Sequence, residues 1–223
     1  RDMLALNPAA GVKPPATEKS RDRVLSDDEI KAFWGGCEKL GWPFGLAFKL
    51  MLVTGQRRDE VAGMRWDDLD MENALWTLSR EQTKSDRRHE VPLSALALEI
   101  LENVPRIGEH VFTTNGRTPI SGFSKAKREM DEASGVTEWR IHDLRRTVAS
   151  GMARIGVAPH VIEKVLNHAG GQISGVAAIY NRHGYSDEKK GALEAWGRIL
   201  QAVGYPESET SERSTPMVVK NVG

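Results

Sequence analysis

Cysteine, tyrosine, surplus charge and long apolar runs are what this chain has little of, and each shortage excludes something. Cys37 is the one cysteine in 223 residues. That rules out an intrachain disulfide and any zinc site built on paired cysteines, and it fits a reducing, cytoplasmic compartment. Lys and Arg number 31, and so do Asp and Glu. The global basic signature of many nucleic-acid binders is therefore missing, which weighs against indiscriminate DNA binding and leaves local patches open. The longest apolar stretch, Pro43 to Val53, is too short to cross a bilayer and contains Lys49, and the first residues lack a signal-peptide pattern. A G-x-x-x-x-G-K-[ST] phosphate loop, an H-E-x-x-H metal site and a G-x-S-x-G elbow are all missing. Asp67, Asp68 and Asp70 stand together in a short polar stretch, which reads better as a solvated turn than as a metal site. No cofactor and no metal are expected.

What is present is mostly helical signal around one core. Ser26, followed by Asp27, Asp28 and Glu29, forms a helix start with a capping hydroxyl and acids that complement the dipole, and that helix should run to Leu40. WPFGLAFKLMLVTG is apolar on nearly every side and predicts a central buried helix ending at Thr54 and Gly55. A short helical stretch from Asp59 to Met64 precedes three pieces with β character, at 74–79, 88–94 and 110–114, with the polar EQTKSDR as a hairpin connection. Helices are then expected from Ser94 to Asn103, Ser121 to Ala133, His142 to Ile155 and Pro159 to Asn167. Leu193, Trp196, Ile199, Leu200 and Val203 make an apolar stripe on a last helix over 186–203. Periodicity does not say whether the stripe packs on its own domain or on a neighbour.

Four segments put reactive side chains beside helix ends or turns: TGQRRDEV (54–61), QTKSDRR (82–88), IHDLRRT (141–147) and VLNHAGG (165–171). Each has an ordinary reading taken alone. Arg57 and Arg58 suit a solvated turn, Lys84 a hairpin tip, His142 a helix start, His168 a helix C-terminus, and Tyr180 a core or interface position. Their order is more telling: T-G-x-R after a buried helix, T-K on a hairpin, H-x-x-R at a helix start, L-x-H at a helix end, then a tyrosine. From about residue 21 to 203 the chain resembles the catalytic domain of the tyrosine recombinases, the phage integrase family.

That resemblance implies a fold that is mainly α with a small three-stranded antiparallel sheet. It implies Arg57, Lys84, His142, Arg145, His168 and Tyr180 as the catalytic set, with Glu60 as an accessory acid. The interval from His168 to Tyr180 is longer than in compact members, and AGGQISG is a loop that could absorb it. The expected organisation is a linker from a missing N-terminal core-binding domain (1–20), the catalytic domain (21–204) and a flexible tail (205–223). Partners implied are double-stranded DNA with attachment-type sites and, on DNA, three further copies in a homotetramer; the isolated domain is expected to be monomeric. The competing reading is a mobile-element remnant that docks on DNA without cutting it.

The chemistry asks for these residue types. A phosphodiester repels nucleophiles, and attack adds charge to its non-bridging oxygens; two guanidiniums with parallel donors offset that charge. A phenol with a pKa near 10 must lose its proton during attack. His142 is the expected base, His168 the expected donor to a phosphate oxygen, and Lys84 the expected acid for the leaving deoxyribose oxygen. Tyr180 and Tyr185 are five residues apart, about 140° around a continuous helix, so they cannot both address one phosphate. The apolar run VAAIY and the family pattern favour Tyr180.

Overall fold

The computed structural model of the chain describes residues 22–168 and 185–204. Helix α1 (Asp27–Leu40) starts as its sequence predicts: the Ser26 hydroxyl accepts the Glu29 N–H, and the Glu29 carboxylate returns to the Ser26 N–H. Helix α2 (Phe44–Thr54) is buried almost throughout. Phe33 and Phe48 of these two helices meet Trp139 in edge-to-face contacts, a geometry that favours the ring quadrupoles. Lys49 is the exception to this apolar lining. Its ammonium pairs with Glu38 and lies 4.6 Å from the centre of the Trp34 ring.

Helix α3 (Arg58–Ala62) and a 3-10 turn (Trp66–Asp68) lead into a three-stranded antiparallel sheet, β1 (Leu69–Asp70), β2 (Leu75–Leu78) and β3 (His89–Pro92), in the order β1-β2-β3. The register sets Leu69 opposite Trp76, Trp76 opposite Val91 and Leu78 opposite His89. Trp76, Leu78, Val91 and His89 are buried, which is the period-two face turned to the core.

One expected strand is not in this sheet. HVFTT at 110–114 makes only a single bridge, Arg65 to His110, and the third strand is Leu69–Asp70 instead. Val111 and Phe112 are adjacent and both fully buried, whereas a strand would turn them to opposite faces. The chain folds over them into a turn, in which the Thr113 hydroxyl donates to Thr118 O at 2.7 Å and accepts the Gly116 N–H at 3.1 Å.

Helices α4 (Ala95–Glu102), α5 (Phe123–Ser134), α6 (Ile141–Arg154) and α7 (Pro159–Val165) follow. Helix α8 (Ser186–Gly204) lays its apolar stripe on its own domain, against α1, α2, α4, α6, α7 and β3. Trp196 is fully buried there, and its indole N–H donates to Leu52 O at 2.9 Å. Gly151 of α6 makes room for it, since a Cβ at that position would lie 2.2 Å from the ring. The expected linker (1–20) and tail (205–223) fall outside the described residues.

Candidate active site

The polar motifs converge where two helix C-termini meet. Helix α2 stops at Gly55, whose φ of 67° is left-handed. A Cβ there would also lie 2.8 Å from Leu166 Cδ2 and 3.0 Å from Val148 Cγ1, so glycine lets α6 and α7 approach the turn. Helix α7 ends in a paired-bond motif: the Asn167 N–H donates to Lys164 O at 3.4 Å and the His168 N–H to Glu163 O at 3.1 Å, with Asn167 left-handed at φ 48°. Gln56 ties the two ends together, its Nε2 donating to Thr54 O and to Val165 O, each at 2.9 Å.

Such ends carry carbonyls without intrahelical partners and a partial negative charge. Arg145 of α6 satisfies them, Nη1 donating to Gly55 O at 2.6 Å and Nη2 to Leu166 O. The residue is 3% exposed, and its Nε is buried without a partner. Burial first, then the charge of Arg57, pulls its pKa down to about 10, so it stays a cation at neutral pH. Arg57 starts α3. Glu60 braces it twice, Oε2 accepting its backbone N–H and Oε1 its Nη1, both at 2.8 Å, and Nη2 donates to Asn167 O at 3.4 Å. The Glu60 side chain is buried beneath the half-open guanidinium.

His142 lies three residues before Arg145, on the same face of α6. Burial, then Arg145 and Arg146, lower its pKa, which favours the neutral ring. Lys84 is exposed on the connection between β2 and β3. Thr83 pins that connection, its hydroxyl donating to Arg87 O at 2.7 Å and accepting the Arg87 N–H at 3.1 Å. Arg57, Lys84, His142 and Arg145, with Arg58 and Asp59, line one open pocket of about 320 Å³. His168 stands outside that lining; burial first, then the charge of Arg145, lowers its pKa, against the opposing pull of Glu163. Tyr180 lies outside the described residues.

Three groups here went unread in the sequence. Gln56 bridges the helix ends. Glu163 lies 2.9 Å from His168 Nδ1. His89 is buried, with Nε2 3.2 Å from Val165 O; burial and then Lys189 push its pKa down to about 3, so the ring is neutral and Nε2–H donates. Only His89 left a signal, being two residues from Val91 on the inward face of β3. Two of the three aspartates are engaged in turns: Asp68 accepts the Gln82 amide at 2.8 Å, and Asp70 accepts the Asn73 N–H and amide. Among the described residues no group of three or more His, Cys, Asp or Glu could hold a metal ion.

The profile of the phage integrase family matches residues 23–186. The integrase of Salmonella phage P22 is 26% identical over 181 residues, covering 74% of this chain and 46% of its own length. The tyrosine recombinase XerC of Xylella fastidiosa is 32% identical over 181 residues, 76% of this chain and 60% of its own. Among solved structures, an integrase from mycobacterium phage Brujita superposes with a TM-score of 0.63 at 20% identity, over 88% of this chain and 68% of the other. A lambda integrase dimer bound to a COC′ core site superposes with a TM-score of 0.60 at 24% identity, over 77% and 66%. The fold is thus that of the tyrosine recombinase catalytic domain. The chain spans about half the length of the curated relatives it matches, 46% of the P22 integrase and 51% of the Escherichia coli prophage integrase IntZ.

Proposed function

Because the chain belongs to the phage integrase family, we propose that residues 21–204 are the catalytic domain of a site-specific recombinase that cuts and rejoins double-stranded DNA at attachment-type sites. Tyr180 is the nucleophile in this reading. Its Oη gives up its proton to the neutral ring of His142 and bonds to phosphorus as the bond from phosphorus to the 5′ oxygen breaks, leaving a 3′-phosphotyrosyl linkage and a free 5′ end. The leaving oxygen takes a proton from Lys84, whose place on an exposed connection lets its ammonium follow the strand. The ester keeps the bond energy, so rejoining needs no ATP, and the paired guanidiniums carry the charge for which other strand-transfer enzymes use a metal ion.

The observation that carries this reading is the pocket shared by Arg57, Lys84, His142 and Arg145. One of its guanidiniums is buried on helix-end carbonyls and the other is braced by Glu60, so both are oriented before any substrate arrives. Preorganised donors of this kind act on the charge that grows in the transition state, and no reorganisation opposes them there. On DNA the working unit we infer is a homotetramer, with the isolated chain monomeric.

The test is a DNA substrate whose cleaved 5′ segment diffuses away and traps the adduct. The chain should form a covalent protein–DNA complex, and Tyr180→Phe should form none. An undiminished adduct in the variant would overturn the assignment of Tyr180. DNA binding with no adduct from either protein would favour the non-cutting remnant.

A further inference from the structure

Successive carbonyls at the end of α7 anchor both arginines of the pocket. Val165 O accepts Gln56 Nε2 at 2.9 Å and His89 Nε2 at 3.2 Å, Leu166 O accepts Arg145 Nη2, and Asn167 O accepts Arg57 Nη2 at 3.4 Å. A helix end leaves such carbonyls without intrahelical partners, so they can take donors from elsewhere in the fold. Across the contact, Gly55 O accepts Arg145 Nη1 at 2.6 Å, and Gly55, Gln56 and Arg57 are consecutive in the chain.

These bonds close into circuits. One runs from the Gln56 side chain to Val165, on to Leu166, across Arg145 to Gly55 and back to Gln56. Another runs from the Gln56 side chain to Val165, along the chain to Asn167, and through the Arg57 guanidinium back to Gln56. The bond from Gln56 Nε2 to Val165 O belongs to both circuits. The His89 bond to the same carbonyl comes from β3 and belongs to neither.

Gln56 is 2% exposed. Its Nε2 faces Thr54 O and Val165 O, which can only accept, so the amide is oriented with its oxygen turned away from them. That oxygen is buried without a partner. Leaving it so costs stability, and a methionine would fill the same space without the cost, so the glutamine serves this position through its donors.

Resting on the function proposed above, we propose that Gln56 is a positioning residue for strand cleavage: its bond to Val165 O fixes the separation of the Arg57 and Arg145 guanidiniums, so that the pair meets the scissile phosphate as one unit. Gln56 acts through the arginines and not on the phosphate. Charge growing on the non-bridging oxygens is offset best by donors already held at the right spacing.

The experiment compares Gln56→Met, which keeps the length of the side chain and removes its donors, with Gln56→Asn, whose amide is one methylene short of both carbonyls. In the DNA-free chain, nitrogen-15 NMR should show hindered guanidinium rotation at Arg57 and Arg145 in the parent, freer rotation at both in Gln56→Met, and an intermediate state in Gln56→Asn. Adduct formation by Gln56→Met should slow by roughly 10- to 100-fold, the scale of a misplaced catalytic group. That deficit should shrink on a substrate with a methylphosphonate at the scissile position, because a neutral centre asks less of paired cations. It should also shrink in an Arg145→Lys background, where the guanidinium that Gln56 positions is gone. A merely structural role would move neither comparison. Should Gln56→Met fail to fold, Gln56→Asn carries each of them. A deficit equal on both substrates and additive with Arg145→Lys would overturn the inference, as would guanidiniums that stay hindered in both variants. A parent that forms no adduct would overturn the function proposed above, and the rotation measurement would then decide by itself whether Gln56 sets the arginines.

Discussion

Arg145 and Lys84 line the same pocket and are held in opposite ways. Arg145 is 3% exposed, and its guanidinium is bonded to the ends of α2 and α7. Lys84 is exposed on a connection pinned at its neighbour Thr83. In the function proposed above, the difference follows what each cation has to do. A fixed positive charge gains from a frame that prevents it turning away, because its benefit is electrostatic and depends on position. A proton donor must reach an oxygen that departs during the reaction, and a flexible stem on an exposed connection permits that.

The contrast can be broken at its mobile side first. Lys84→Ala should reduce adduct formation by about 10²- to 10⁴-fold, the range for a lost general acid, while its thermal stability stays within about 0.5 kcal/mol of the parent. Replacing the bridging 5′ oxygen by sulfur, a better leaving group, should restore most of that rate. Failure of the sulfur substrate to rescue would place Lys84 outside the protonation step.

On the rigid side, Arg145→Lys should lower the adduct rate by roughly 10²- to 10³-fold. A single ammonium cannot bond to both Gly55 O and Leu166 O and also offer a parallel pair of donors to phosphate. Unlike Lys84→Ala, this variant should also lose stability in denaturant, because buried carbonyls lose partners. Equal stability of the two variants would remove the contrast.

A smaller effect tests the frame beneath Arg145. His89 ties β3 to the end of α7 as a neutral ring, with a pKa near 3 against about 6.5 in an unfolded chain. Between those values the unfolded chain binds a proton that the folded one refuses. Stability from this group is therefore complete above about pH 6.5 and falls as pH drops toward 3, by up to about 1.4 kcal/mol per pH unit. Denaturant titrations across that window should show a shallower acid loss in His89→Gln than in the parent. Parallel curves would mean that His89 titrates normally in the folded chain.

Much of the fold was legible because its signals are local. Ser26 with Glu29, and Gly55 after a run of apolar residues, each mark a helix boundary through bonds within a few positions. HVFTT misled because two adjacent apolar residues look like half of a strand, and only tertiary packing decides that both turn inward. The same holds for the last helix: its stripe was visible, while its seat on its own core depends on the space left at Gly151. Within the site, motif spacing singled out the residues that bear charge. It was silent on the groups that hold them, since Gln56 acts through a carbonyl 109 positions away at Val165 and Glu163 through a left-handed turn.

The central claim is that this pocket serves one covalent bond between Tyr180 and DNA. The direct measurement is to trap the adduct with wild-type chain, digest both components and identify the linked peptide and nucleotide end by mass spectrometry. The account predicts Tyr180 joined to a 3′ phosphate, with the released strand ending in a 5′ hydroxyl. A linkage at Tyr185, or a 5′ phosphate on the released strand, would contradict it.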